Sequence, residues 1–150
     1  MQKGEMLSNM LHIATNAHHG QFDKGGQPYI LHVLKVMHYL KSDDEELNCI
    51  ALGHDLIEDT KISYAELREA GMTERVVKGI DALTKQRGQT LDEYKQVVFS
   101  NVDAMRVKLC DLRHNSDIRR LKGITEKDFE RMKNYHQFYL EIKERLENEA

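Results

Sequence analysis

The sequence has few of the residues that build cross-linked or membrane-inserted proteins. Its 150 residues include one proline, two cysteines and no tryptophan. Cys49 and Cys110 lie among apolar neighbours and are too few for a disulfide framework, so we expect buried, reduced thiols. No stretch reaches the roughly 18 consecutive apolar residues of a membrane span, and residues 1–6 contain no apolar run of signal-peptide length. We therefore predict a cytoplasmic protein with no membrane partner.

The chain also lacks an excess of either charge. It has 22 lysines and arginines against 25 aspartates and glutamates, and its net charge is −3. This balance gives no electrostatic reason to expect a nucleic-acid partner. Because 40% of the residues are hydrophobic, the chain can bury one core, and we predict that residues 1–150 form a single domain.

Alternating β-branched segments are missing as well, and apolar residues recur instead at helical spacing. The spacing predicts an all-α domain in which residues 20–28, rich in glycine, form a loop. Cap residues and periodicity predict helices over about 5–19, from just after Pro28, from a Ser42–Asp44 cap to about Asp59, from Ser63 to Gly71, from Thr73, from Thr90, over 102–121 and from Thr125 onward.

The most informative stretch is Ala51–Thr60, which reads Ala-Leu-Gly-His-Asp-Leu-Ile-Glu-Asp-Thr. It places one imidazole and three carboxylates in an otherwise apolar, helix-like segment, and the nearest basic residue is Lys61. Buried charge is costly unless it is paired or bound to a metal. The stretch therefore predicts a divalent cation held in part by His54 and Asp55.

The remaining ligands are expected on two other helices. His32 and Asp111 both lie in apolar runs where an unpaired polar side chain would be costly. Either residue alone has an ordinary structural explanation, and it is their conjunction with His54 and Asp55 that indicates a metal site. This nitrogen and oxygen donor set suits Mn, Fe, Zn or Mg, and four protein ligands leave open positions on a six-coordinate ion.

Glu58 and Asp59 follow the His54–Asp55 pair by four residues. On a continuous helix this spacing puts them on the same face, where a general base or water-positioning group belongs. The alternative is that they are acidic residues at a helix end. The same spacing puts Asn115 on the face of Asp111, where it can hydrogen bond to a substrate.

Several further polar residues are assigned more loosely. His114 is ambiguous because it lies three residues after Asp111. Phosphate charge can be neutralised by Lys24, Lys108 or Arg113. The other histidines are expected to be structural or exposed; they are His12, His18, His19, His38 and His136.

Four motifs in this order resemble HD-domain metal-dependent phosphohydrolases, and most closely the hydrolase domain of RelA/SpoT homologues and the small alarmone hydrolases. The motifs are Ala17-His18 with Gly20-Gln21, Gly26–His32, His54–Thr60 and Lys108–Asn115, and the resemblance covers roughly residues 8–120. It implies a single HD-domain helical bundle, completed here by the C-terminal helix. It also implies removal of pyrophosphate from the 3′ position of guanosine tetra- or pentaphosphate, (p)ppGpp.

The resemblance assigns roles to individual residues. It implies an ion, typically Mn²⁺, held by His32, His54, Asp55 and Asp111. The positions of Glu58 and Asp59 are implicated in activating or placing the attacking water, and the position of Asn115 helps to hold the nucleotide.

The nucleotide loop departs from the family pattern. The family has an arginine that packs against the guanine base, where this chain has Asp23, although the following Lys24 remains and can contact base or phosphate. Val33 and Ile118 replace a common proline and threonine. An anion at position 23 cannot stack on a base and repels phosphates. Two alternatives follow: a phosphohydrolase of another nucleotide or phosphate ester, and a metal- or nucleotide-binding sensing module without turnover.

Overall fold

A computed structural model describes residues 1–149, and within them it contains nine α-helices and one short 3-10 helix. The described residues form no β-strand, only an isolated bridge between Phe22 and Pro28 in the first loop. The predicted all-α fold is confirmed. The α-helices are α1 Glu5–Ala17, α2 Ile30–Leu40, α3 Glu45–Gly53, α4 Leu56–Asp59, α5 Tyr64–Glu69, α6 Glu74–Leu83, α7 Leu91–Phe99, α8 Val102–Asn115 and α9 Glu126–Glu149.

The predicted helix starts are confirmed because local caps determine them. The side chain of Asp44 accepts a hydrogen bond from the Leu47 amide and opens α3. Ser63 and Thr90 both form complete capping boxes, at the starts of α5 and α7, and Thr73 caps α6. Each cap satisfies backbone N–H groups that have no partner inside the helix.

The predicted helix from Ser42–Asp44 to Asp59 is wrong in one respect, because it is interrupted at His54 and Asp55. His54 Nδ1 lies 2.6 Å from the carbonyl oxygen of Ala51 and donates to it. In an unbroken helix that carbonyl would accept from the Asp55 amide, so the side chain competes with the backbone ladder. The turn ends α3 at Gly53 and starts the short α4 at Leu56.

The prediction for residues 102–121 is also wrong at its end. Helix α8 stops at Asn115, and the chain continues as a 3-10 helix, Ile118–Arg120. The side chain of Asp117 accepts from the Arg119 amide, which starts this separate turn. The change of direction carries Arg120 back toward the loop of residues 20–28.

Helix α3 is the centre of the fold, and every residue from Leu47 to Gly53 is buried. It packs against α1, α2, α6 and α8, while α9 packs along α8. Cys49 and Cys110 are buried, free thiols, as predicted. None of the described helices is long and apolar enough to cross a membrane. The core thus fixes α2, α3 and α8 relative to one another, and these three helices position the polar site.

Candidate metal centre

The four predicted metal ligands lie together at one point between α2, α3 and α8. Asp111 Oδ1 is 2.9 Å from His32 Nε2 and 3.3 Å from His54 Nε2. Asp55 Oδ2 is 3.1 Å from His54 Nε2 and 3.9 Å from His32 Nε2. Three of the side chains are buried, and Asp55 is partly exposed. Two imidazole nitrogens and two carboxylate oxygens therefore face one another.

These spacings fit a six-coordinate divalent cation. Adjacent ligands of an octahedral ion are about 3.0 Å apart when the bonds are about 2.1 Å long. Three of the four nitrogen–oxygen separations, 2.9, 3.1 and 3.3 Å, match an octahedral edge. The donor set is the nitrogen and oxygen type that such ions prefer. The site therefore fits a divalent metal on its own geometry.

Both imidazoles are oriented by hydrogen bonds at the ring nitrogen that faces away from the site. His54 Nδ1 donates to the Ala51 carbonyl, which turns Nε2 toward the carboxylates. His32 Nδ1 is 2.7 Å from His114 Nδ1. Burial and, to a lesser extent, the nearby Arg120 cation lower the pKa of His114 to about 4. His114 is therefore neutral and accepts from His32.

The two carboxylates are also held in place. The Tyr29 hydroxyl donates to Asp55 Oδ2 at 2.5 Å, and Asn115 Nδ2 donates to Asp111 Oδ1 at 3.1 Å. Sequence reasoning left His114 ambiguous and did not assign a role to Tyr29. Both fall inside the matched motifs, and that position was the only available signal.

The site attracts positive charge strongly. Burial alone would lower the pKa of His54, but the carboxylates of Asp55 and Asp111 outweigh it and raise that pKa well above its usual value. Burial raises the pKa of Asp111, but the Lys108 cation and hydrogen bonds from both imidazoles hold it well below its usual range. A cluster that binds a proton this tightly also favours a metal cation at the same atoms.

Lys108, one of the three residues considered for neutralising phosphate charge, pairs with a metal-facing carboxylate. Its Nζ is 2.9 Å from Asp111 Oδ2 and lies over the ring of Tyr94. Arg113, the other alternative, stacks on the ring of Tyr39. Neither lines the pocket beside the metal centre. Lys108 instead neutralises a buried ligand, which the sequence could not indicate because the pair depends on how deeply α8 is buried.

Glu58 and Asp59 lie in α4, the short helix that directly follows the His54–Asp55 turn. The Asp59 amide donates to the Asp55 carbonyl at 3.0 Å. Asp55 and Asp59 are therefore one helical turn apart, although the helix is interrupted between α3 and α4. Burial and the charges of Asp55 and Glu58 raise the pKa of Asp59 to about 6. Glu58 Oε1 accepts from the Lys85 amide at 2.8 Å, an interaction that ties α4 to the end of α6.

A cavity of about 270 Å³ opens beside the metal ligands. Tyr29 and Asn115 belong to both, because each lines the cavity and hydrogen bonds to a metal-facing carboxylate. Lys24 also lines it, so both predicted substrate contacts, Lys24 and Asn115, are at this cavity. The remaining lining residues come from the first loop, the 3-10 turn and α9; they are Phe22, Asp23, Gly25, Asp117, Arg120, Leu121, Arg131, Met132 and Tyr135.

The histidines expected to be structural or exposed lie outside the metal centre. His18 is buried, and its Nδ1 is 2.8 Å from Gln21 Oε1 at the end of α1. The other four side chains are exposed; they are His12, His19, His38 and His136.

Comparison with known proteins identifies relatives of this arrangement. A guanosine-3′,5′-bis(diphosphate) 3′-pyrophosphohydrolase of Haemophilus influenzae is 33% identical over 115 residues, which are 69% of this chain and 17% of that protein. The protein of the same name from Aquifex aeolicus is 31% identical over 123 residues, 77% of this chain and 18% of its own length. The chain thus spans about a sixth of the length of these relatives. No family model matches it.

A solved structure shares the fold. It is described as a metazoan ortholog of SpoT that hydrolyzes ppGpp, and it superposes with a TM-score of 0.75 over 95% of this chain and 86% of its own, at 22% identity. The resemblance read from the four motifs is therefore confirmed: the chain is a homologue of one segment of the SpoT/RelA family of (p)ppGpp 3′-pyrophosphohydrolases.

Proposed function

We propose that this chain is a metal-dependent phosphohydrolase, folded as a single domain, that removes pyrophosphate from the 3′ position of (p)ppGpp. The observation that carries the proposal is the meeting of His32, His54, Asp55 and Asp111 beside a cavity. It is supported by relatives named as guanosine-3′,5′-bis(diphosphate) 3′-pyrophosphohydrolases. The proposed ion is Mn²⁺, which the nitrogen and oxygen donors accept.

The roles of the residues follow from their contacts. A bound divalent ion supplies a Lewis acid and lowers the pKa of water at the site. Asp59 accepts the proton of the attacking water, because its carboxyl has a pKa of about 6 and is therefore ionised at neutral pH. Glu58, which is held by the Lys85 amide, keeps α4 and Asp59 in position. Asn115 and Lys24 hold the nucleotide in the cavity.

The proposal is tested by HPLC of products from chelator-treated protein. The protein is incubated with ppGpp and with a panel of nucleoside mono- and triphosphates, with and without added Mn²⁺. We expect GDP and pyrophosphate to form from ppGpp only when Mn²⁺ is present. Equal turnover in chelator and in Mn²⁺, or no turnover of any nucleotide, contradicts the proposal.

A second candidate substrate is favoured by one observation, the carboxylate of Asp23 in the cavity. A site with an acidic residue in place of the family arginine has a different base preference, so the same chemistry can serve another nucleotide or phosphate ester. Faster turnover of a different member of the panel than of ppGpp selects this alternative. Clean selectivity for ppGpp excludes it.

Asp59→Asn is predicted to lower kcat by about 100-fold or more, since a general base contributes roughly 10²–10⁴ to the rate. The wild-type rate should rise with pH through a midpoint near pH 6, as Asp59 loses its proton, and level off roughly one pH unit higher; a bound cation shifts this rising part of the profile to lower pH. The rising part disappears in the variant, while Mn²⁺ affinity is kept. Asp92→Asn, an exposed position on α7, is the matched control. An unchanged rate and pH profile in Asp59→Asn would exclude Asp59 as the base.

A further inference from the structure

The carboxylate of Asp23 is not a free anion, because it is fully engaged by its surroundings. Its Oδ2 accepts from Nη2 of Arg120 at 3.0 Å, and its Oδ1 accepts from the Gln27 amide at 2.9 Å. Burial raises the pKa of Asp23, but these hydrogen bonds and the charge of Arg120 bring it below its usual value. The two residues are 97 positions apart in the chain, and together they carry no net charge.

Arg120 is fixed on its other side by the end of α8. Its Nη1 donates to the His114 carbonyl at 3.0 Å and to Asn115 Oδ1 at 3.2 Å. Asn115 in turn donates to Asp111, so a single side chain separates the guanidinium from a metal ligand. Arg120 is therefore held rigidly at the border of the cavity and the metal centre, with a fifth of its side chain exposed.

The backbone is also shaped to bring Arg120 to this place. Gly25 is buried in the first loop, and a Cβ added there would overlap the carbonyl oxygen of Arg120. Only glycine allows the loop and the 3-10 turn to approach so closely. This close contact between Gly25 and the Arg120 backbone is separate from the Asp23–Arg120 ion pair. Both interactions hold the Arg120 side chain at the cavity.

The surroundings of the pair suit a nucleobase better than a phosphate. Phe22, Leu121, Met132 and Tyr135 give the cavity apolar and aromatic walls. A guanidinium already paired with a carboxylate has little net attraction for a polyphosphate, and the carboxylate repels one. Its planar N–H groups and its face still bind the edge or the ring of a neutral heteroaromatic base.

We propose that Arg120 is the specificity-determining residue that contacts the nucleobase, and that Asp23 is the residue that positions it. In the family that this chain resembles, an arginine in the first loop contacts the base. Here that loop position is an aspartate, Asp23, and the arginine comes from the 3-10 turn on the other side of the cavity. The inference rests on the proposed function in that the ligand is a nucleotide.

The test is calorimetric titration of the Mn²⁺-loaded full chain with GDP and, separately, with inorganic pyrophosphate. Arg120→Ala should bind GDP about 10- to 100-fold more weakly, the usual cost of losing a hydrogen bond from a charged group, and should lose clearly less affinity for pyrophosphate, which is weakened only by the unpaired Asp23 carboxylate. Arg87→Ala is the charge-matched control, because Arg87 is exposed in the loop between α6 and α7 and does not line the cavity. It should bind both probes normally. Arg120→Lys keeps the charge but not the planar donors, and it should also lose about 10-fold in GDP affinity, even if the alanine variant does not fold.

A double-mutant cycle tests the positioning role of Asp23. Asp23→Asn should weaken GDP binding several-fold in the wild-type background and have no further effect in the Arg120→Lys or Arg120→Ala background. Additive losses in the double variant would mean that Asp23 acts independently of Arg120. Unchanged Mn²⁺ affinity in every variant separates positioning from general damage to the site.

Three results overturn the inference. In the first, Arg120→Ala and Arg120→Lys bind GDP within twofold of the wild-type affinity. In the second, these variants lose GDP and pyrophosphate affinity equally. In the third, the wild type does not bind GDP. Hydrolysis is measured apart from binding, so the two proposals fail separately. If the protein hydrolyses ppGpp but binds GDP equally well without Arg120, only this inference is refuted. If GDP binding requires Arg120 but no ppGpp is hydrolysed, only the proposed hydrolase activity is refuted.

Discussion

Asp55→Ala is expected to lower the turnover of ppGpp by about 1,000-fold or more and to abolish tight Mn²⁺ binding. Asp55 Oδ2 is 3.1 Å from His54 Nε2, and within residues 1–149 Asp55 and Asp111 are the two carboxylates that lie within 4 Å of these imidazoles. Its removal takes away both a ligand and a negative charge. Lewis-acid catalysis is worth several kcal/mol, and each 1.36 kcal/mol is a factor of ten in rate, so the loss reaches about three decades.

The measurement combines steady-state kinetics with a Mn²⁺ titration of the same protein. Asp81→Ala is the control, because Asp81 is exposed and only accepts from the Tyr64 hydroxyl on the surface. It should keep both activity and metal. An Asp55→Ala protein with full turnover would show that the cluster is not the catalytic centre.

Lys108→Met is expected to lower the free energy of unfolding of the metal-free protein by roughly 3 kcal/mol. The Asp111 carboxylate is buried, and removing its cationic partner leaves it uncompensated, which costs about 3–5 kcal/mol in buried pairs. The lower end applies because the His54 imidazole also faces Asp111 and can carry a proton there. In a domain of this size the loss corresponds to a melting point lower by about 6–12 °C.

Added Mn²⁺ should restore part of this loss, because a divalent cation at the site neutralises the same carboxylate from its other oxygen. Urea unfolding of the variant with chelator and with Mn²⁺ measures both effects. Lys95→Met is the matched control: Lys95, like Lys108, lies over the ring of Phe138, but its ion-pair partner is Glu141 and not one of the four ligands. Its stability loss should not depend on Mn²⁺. A Lys108→Met protein as stable as the wild type in chelator would contradict the pairing.

The sequence predicts the parts of the fold that depend on local interactions. The caps at Asp44, Ser63, Thr73 and Thr90 act over three residues, and all four helix starts are confirmed. The break after Gly53 was not predicted. It depends on the His54 side chain taking a backbone carbonyl, and periodicity alone does not reveal that exchange.

The same distinction holds for the site. His32, His54, Asp55 and Asp111 were predicted because each is an ionisable or metal-binding side chain in an apolar run, and the fold brings them together. The residues that support them act over long separations, which a motif does not encode. His114 meets His32 over 82 positions.

The first loop gives the clearest example of this limit. From the sequence, Asp23 was expected to repel phosphates and weaken the nucleotide pocket. The sequence did not show that this charge is balanced by Arg120, which the 3-10 turn brings back to the loop. That turn lies where the sequence predicted continuous helix. Because the end of α8 was predicted too late in the chain, the sequence did not reveal Arg120 as the partner of Asp23.

One metal ion, held by the four converging side chains, is expected to be required for hydrolysis. The most direct test is turnover of ppGpp by chelator-stripped protein as Mn²⁺ is added in increments of less than one equivalent. We expect no turnover without metal, and a rate that rises linearly with added Mn²⁺ until it stops increasing at one Mn²⁺ per chain. The expected products are GDP and pyrophosphate. Full turnover without metal, or no turnover of any nucleotide beyond one bound equivalent, would contradict it.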